Sequence, residues 1–195
     1  MRRHLITAIL YTIVTTVIFG LAYPLAVTAA AQLLFRNKAN GQLIYANGTD
    51  DRPGQLIGSH LIGQPFTAPG YFHSRPSAAG TGYDAANSSG SNLAPTNRKL
   101  ISRIADDAAA LQKDNPNTDV PIDLVTTSAS GLDPDITPAA AEFQIARVAQ
   151  ARHLSEDTVR QLVARHTSGR QLGFLGEPRV NVLDLNLDLD RLSAR

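Results

Sequence analysis

LITAILYTIVTTVIFGLAYPLAVTAAAQLLF, residues Leu5 to Phe35, contains no Asp, Glu, Lys or Arg. A helix of that length rises roughly 46 Å at 1.5 Å per residue, which crosses a bilayer with tilt to spare. The basic start at Arg2 and Arg3 and the small residues Ala29, Ala30 and Ala31 would also suit a cleaved signal peptide. Signal h-regions are shorter, about 7 to 15 residues, so a retained anchor is the better reading, and both readings export the rest of the chain. Residues 1–4 are then a cytoplasmic N-terminus, 5–35 a transmembrane helix and 36–195 an extracytoplasmic globular domain. Charge orients the span only weakly, because Arg36 and Lys38 stand after it as Arg2 and Arg3 stand before it. Ala22, Ala26 and Ala30 recur every fourth residue, a stripe of small side chains that lets a partner helix approach closely. Pro24 has no N–H for the carbonyl of Gly20, which predicts a kink.

Outward from the span, 195 residues leave room for one domain besides the anchor. A hydrophobic content of 43% against 18% charged residues is enough to build a core. The formal net charge is +1, which gives no footprint for nucleic acid. With no cysteine there are neither disulfides nor thiolate metal sites.

Gly41 to Tyr45 and Gln55 to Gly63 read as strands or strand-like loops. Leu100, Ile101, Ile104, Ala108 and Leu111 share one face of a helix from Asn97 to Lys113. Pro121 to Val125 reads as a buried strand ending in a turn at Ser128, Ala129, Ser130 and Gly131. Thr137 as N-cap and Pro138 at the first helical position open a helix to about His153. Ser155 caps a second, which Gly169 stops. From Val180 to Leu189 apolar residues alternate with Asn181, Asp184, Asn186 and Asp188, the pattern of a last strand with a bulge at Val182–Leu183. Strands mixed with segregated helices, without βαβα alternation, give an α+β domain of mixed α/β content.

No Walker-type phosphate loop and no HExxH pair is present, so P-loop ATPase and zinc peptidase chemistry have no support. Asp184, Asp188 and Asp190 do not make a cation site, because the first two alternate along the predicted strand as a solvated face. Ser128, Ser130 and Asp133 with a histidine allow an alternative, a membrane-anchored serine hydrolase, although the nucleophile-elbow pattern GxSxG is missing. Gly70 to Pro95 has a linker's composition but carries Tyr71, Phe72, His73, Arg75, Tyr83, Asp84 and Asn92. These are packing and hydrogen-bonding groups, so the segment reads as an ordered surface loop. Tyr71, Phe72, Arg75 and Asn92 are its candidate partner-binding residues.

Several words of the sequence, in order, resemble the KdpC family. They are Gly58-Ser59, Leu61-Ile62-Gly63-Gln64, Phe66, Tyr71-Phe72-His73, Arg75-Pro76-Ser77-Ala78, Tyr83-Asp84 and Gly90-Ser91-Asn92-Leu93. The likeness runs on through Asp123-Leu124-Val125-Thr126, Ser128 to Asp133, Gln144, Arg147-Val148-Ala149, Arg152, Val180-Asn181-Val182 and Leu185-Asn186. It departs at Ala146, where members of the family often carry proline. The resemblance implies the C subunit of a bacterial potassium pump in the plasma membrane. Its expected partners are a potassium-translocating A subunit, an ATP-hydrolysing B subunit, a small F subunit and membrane lipid, with no catalysis and no firmly bound cofactor of its own. It also implies a catalytic chaperone that raises the ATP affinity of the B subunit, with Gln144 proposed to meet nucleotide. An extracytoplasmic domain conflicts with that contact, and a polar residue on the outer face of a helix is the plainer expectation for Gln144.

Overall fold

A computed structural model describes residues 1–46 and 54–193. The chain divides into two units, Met1–Ile57 and Gly58–Arg195.

The first unit is built on one continuous apolar helix, Arg2–Leu34, 33 residues long and about 50 Å at 1.5 Å per residue. It comprises α1 (Arg2–Thr15), a π-helical stretch (Thr16–Ala22) and α2 (Tyr23–Leu34). The π stretch is the response to Pro24. The Tyr23 N–H bonds the carbonyl of Ile18, five residues back, and α2 then restarts with Pro24 in its first turn. Pro24 has no N–H to give to the helical ladder, and the wider π turn just before it is the local adjustment that accommodates it. Thr7 and Thr15 turn their hydroxyls back onto the carbonyls of Arg3 and Tyr11, which leaves these polar groups satisfied in an apolar medium. Leu5, Ile9, Ile13, Val17, Leu21 and Leu25 are all exposed, and no face of α1 or α2 is covered by the described residues. A helix apolar on every side needs lipid or other helices around it. After the short α3 (Arg36–Ala39) come β1 (Leu43–Ala46) and β2 (Gln55–Ser59), paired in a two-stranded sheet.

The second unit holds the core. Asn97 accepts a bond from the Lys99 N–H and opens α4 (Arg98–Asp114). Thr137 caps α5 (Pro138–Arg152) through the Ala140 N–H, and His153, left-handed at φ 56°, ends it. Ser155 caps α6 (Glu156–His166), with Glu156 and Asp157 in the first turn and Arg165 and His166 in the last, charges that suit the helix dipole. The short strands β3 (Asp135–Ile136), β4 (Thr167–Ser168) and β5 (Arg179–Asn181) form an antiparallel sheet in the order β3-β5-β4. Directly after β5 the chain turns into α7 (Val182–Ser193). Ile145, Val148, Ala149, Val159, Leu162, Val163, Val180, Leu185 and Leu189 pack with Phe72 into one core.

Two expectations are corrected. Pro121–Val125 is not a strand; Ile122–Leu124 is a 3-10 turn, closed by Leu124 N–H to Pro121 and Val125 N–H to Ile122. The turn folds Asp123 inward to accept the backbone N–H and hydroxyl of Thr137, just ahead of α5. Val180–Leu189 is a strand only at its start. The burial of Val182, Leu185, Asn186 and Leu189 follows the helical period, and Asn181 caps the helix by accepting the Asp184 N–H. Asp184 and Asp188 consequently lie one helical turn apart and meet His60 and His166, each at 2.8 Å.

Candidate functional site

The polar residues that stand out in the sequence converge on the extended segment that opens the Gly70–Pro95 loop. In an extended chain the N–H and C=O of one residue face one edge, and those of the next residue face the other. Two buried carboxamides use both edges. Asn186, on α7, accepts the Phe72 N–H at 2.8 Å and donates to the Phe72 carbonyl at 2.9 Å. Gln144, on α5, accepts the His73 N–H at 2.8 Å and donates to the His73 carbonyl at 3.1 Å. The segment thus runs between α5 and α7 as a strand would between two neighbours, with side chains in place of neighbouring backbones.

The grip extends along α5. Arg147 donates to the carbonyls of Pro69 and Tyr71 and to the Gln144 side-chain oxygen. Burial pushes the Arg147 guanidinium below its ordinary range, opposed by the nearby Asp114 carboxylate. Arg152 donates to the Gly70 carbonyl at 2.7 Å, pairs with Asp190 at 2.8 Å and lies 4.5 Å from the centre of the Tyr71 ring. Gln144, Arg147 and Arg152 reach the segment from one helix face, and this is the common purpose of those words of the sequence. Burial, reinforced by Arg147, also holds the His73 imidazole below its usual value of 6.5, and the Ala68 carbonyl lies 3.2 Å from Nε2.

Further along, Ser77 donates to the Gly131 carbonyl at 2.6 Å and accepts from the Ala79 and Tyr83 N–H groups, while the Tyr83 hydroxyl donates to the Arg75 carbonyl. Gly131 sits at φ +66°, and a Cβ there would come within 2.5 Å of the Ser89 carbonyl oxygen. Only glycine lets the loop come this close to the Ser128–Gly131 turn.

The four predicted partner-binding residues separate on this geometry. Phe72 is 0% exposed and belongs to the core, which corrects its reading as a surface residue. Its backbone is held by Asn186 and its side chain by apolar neighbours. Tyr71 is half-buried, its hydroxyl donating to Asp190 at 3.1 Å. Arg75 is half-buried and pairs with Asp133 at 2.9 Å. Asn92 is exposed, with a left-handed backbone at φ 51°. Gln144 is 3% exposed, so it faces inward and not outward as expected of a helix's outer face. The stripe Ala22, Ala26 and Ala30 is exposed along its whole length.

The hydrolase residues are not arranged as a triad. Ser130 accepts the Leu132 N–H and faces Ser128 at 3.4 Å, and Asp133 is paired with Arg75. A cleft of about 240 Å³ lies beside them, lined by Arg75, Asp123, Asp133, Asp135, Thr137, Glu177 and Arg179. Its charges are matched within the fold: Arg179 lies 3.1 Å from Asp135, and Asp123 is bonded to Thr137. Burial raises the Asp135 carboxyl above its ordinary range against the opposing pull of Arg179. Sequence reasoning does not single out Asn186, Asp190 or Asp123 for these roles. The available signal is a short polar residue among helix-spaced apolar ones, legible only once the period around Asn186 is recognised as helical.

The family model described as "K+-transporting ATPase, c chain", KdpC, matches residues 5–191. The chain is 63% identical to a potassium-transporting ATPase KdpC subunit of Koribacter versatilis, over 97% of this chain and 95% of that protein. It is 60% identical to that of Acidobacterium capsulatum, over 97% and 99% of the two chains. Against that of Mycobacterium tuberculosis it is 55% identical, over 98% and 100%. With a match that takes in the span, the gripped segment and the helices holding it, the chain belongs to the KdpC family and is an accessory component of the potassium-transporting ATPase.

Proposed function

We propose that this chain serves the pump by assembly: its span docks onto the membrane helices of the other subunits and its domain stabilises the complex from the outer side. The partners are the A subunit that translocates potassium, the B subunit that hydrolyses ATP and the small F subunit. Arg2 and Arg3 stay in the cytoplasm of a bacterial cell, the helix crosses the plasma membrane, and residues 36–195 lie outside. The observation behind this reading is the helix Arg2–Leu34, none of whose residues is buried, with Ala22, Ala26 and Ala30 on one face. Small side chains allow backbones to approach closely where apolar burial alone gives no preference for protein over lipid.

An effect on the ATP affinity of the B subunit would then travel through the span and the partner subunits, and no nucleotide binds the domain. Gln144 supports this, since its oxygen and nitrogen are both committed to His73, with further bonds to Arg147 and to the Ala140 carbonyl. Leucine at Ala22, Ala26 and Ala30 together should leave membrane insertion intact and lower co-purification with the A and B subunits several-fold. Unchanged recovery of the complex would sink the proposal.

A further inference from the structure

Between β4 and β5 the chain projects a hairpin whose apolar tip is left uncovered by the described residues. Gln171 and Leu175 exchange both backbone hydrogen bonds at 2.9 Å, and Arg170 pairs with Glu177 at 2.5 Å below them. Beyond this base, Leu172 is 82% and Phe174 68% exposed, with Leu175 also exposed. Leu172 adopts φ 53°, a left-handed conformation unfavourable for a residue with a Cβ, and Gly173 comes next at φ 83°. The turn is therefore bonded into one shape that holds two large apolar side chains in water, where they contribute nothing to the core.

We infer that this finger is a protein-docking knob that seats Leu172 and Phe174 in an apolar pocket on another subunit of the pump. The inference rests on the proposed role in assembly. Charge selects the occupant. An anionic bilayer surface is recognised by lysines and arginines left free beside the apolar residues. Here Arg170 is neutralised by Glu177, and Arg179, at the foot of the hairpin, by Asp135. A tip without net charge, backed by matched ion pairs, complements an apolar protein pocket with a polar rim, the anatomy of an interface anchor.

The test places the photo-crosslinking residue p-benzoyl-phenylalanine at Phe174 in the full chain, expressed with the other subunits in membranes. A second chain carries it at Ile122, an exposed apolar residue elsewhere in the same unit. The inference expects an adduct with another pump subunit from position 174 and none from 122. Adducts with lipid alone, equal adducts from both positions, or no adduct from 174 would each overturn it. In parallel, Leu172→Ser with Phe174→Ser should weaken association of the chain with the complex roughly 100-fold, about tenfold for each anchor withdrawn from a pocket. The melting temperature of the purified chain should stay unchanged, because neither side chain supports the core. If the wild-type chain itself fails to co-purify with the pump, the assembly role fails; if it co-purifies while the double variant associates normally, only the finger is disproved.

Discussion

A carboxamide buried in a core is expensive unless each of its atoms is bonded, and Gln144 meets that condition with four partners, two of them the N–H and C=O of His73. Replacing it with methionine keeps the volume but strands the His73 backbone groups and one end of Arg147. Gln144→Met should therefore destabilise the isolated chain by about 2–4 kcal/mol, read from chemical unfolding, because each buried group left unpaired costs roughly 1–3 kcal/mol. A direct nucleotide contact predicts the opposite pattern, normal stability of the chain and a weaker apparent ATP affinity of the assembled pump. One variant, measured both ways, separates a brace from a ligand.

At the scale of elements, α7 depends on the residue just before it. Asn181 accepts the Asp184 N–H at 3.1 Å as the helix cap and donates to the His60 carbonyl at 3.0 Å. Asn181→Ala should lower stability by about 1–2 kcal/mol, visible as a lower melting temperature, and Asn181→Asp should not rescue it, because a carboxylate there keeps the cap acceptor but faces the His60 carbonyl and the Asp135 carboxylate without a proton to donate. No change with alanine would mean that the cap does not hold the helix. The residues behind the cap also explain why this helix is hard to read in the sequence. Leu183, Leu185, Leu187 and Leu189 alternate with polar residues as in a strand, and only the inward placement of Asn186, a polar side chain, completes the helical period of Val182, Leu185, Asn186 and Leu189. By contrast α4, α5 and α6 are legible, with Asn97, Thr137 and Ser155 at their starts, because caps and helical spacing are local signals. The helix Arg2–Leu34 is legible from another local signal, a long apolar run without charges. The grip on Phe72 and His73 is not, since its partners lie 114 and 71 residues away and no local pattern carries that pairing.

For the whole molecule, the decisive observable is which side of the membrane holds the second unit. With Arg2 and Arg3 inside, protease added to spheroplasts should digest the region after the span, and inverted vesicles should protect it. The opposite result would bring the domain into the compartment where ATP is found and reopen a direct nucleotide role. The pincer of α5 and α7 around Phe72 has one more consequence, for the order in which the protein is made. Synthesis runs from N- to C-terminus, so the segment leaves the ribosome long before either jaw. His73 must wait for Gln144, and Phe72 for Asn186, 114 residues further along. Until α7 is made, the Phe72 N–H and carbonyl lack their Asn186 partner. The grip can therefore close on both edges of the segment only after α7, the last helix described, has been made.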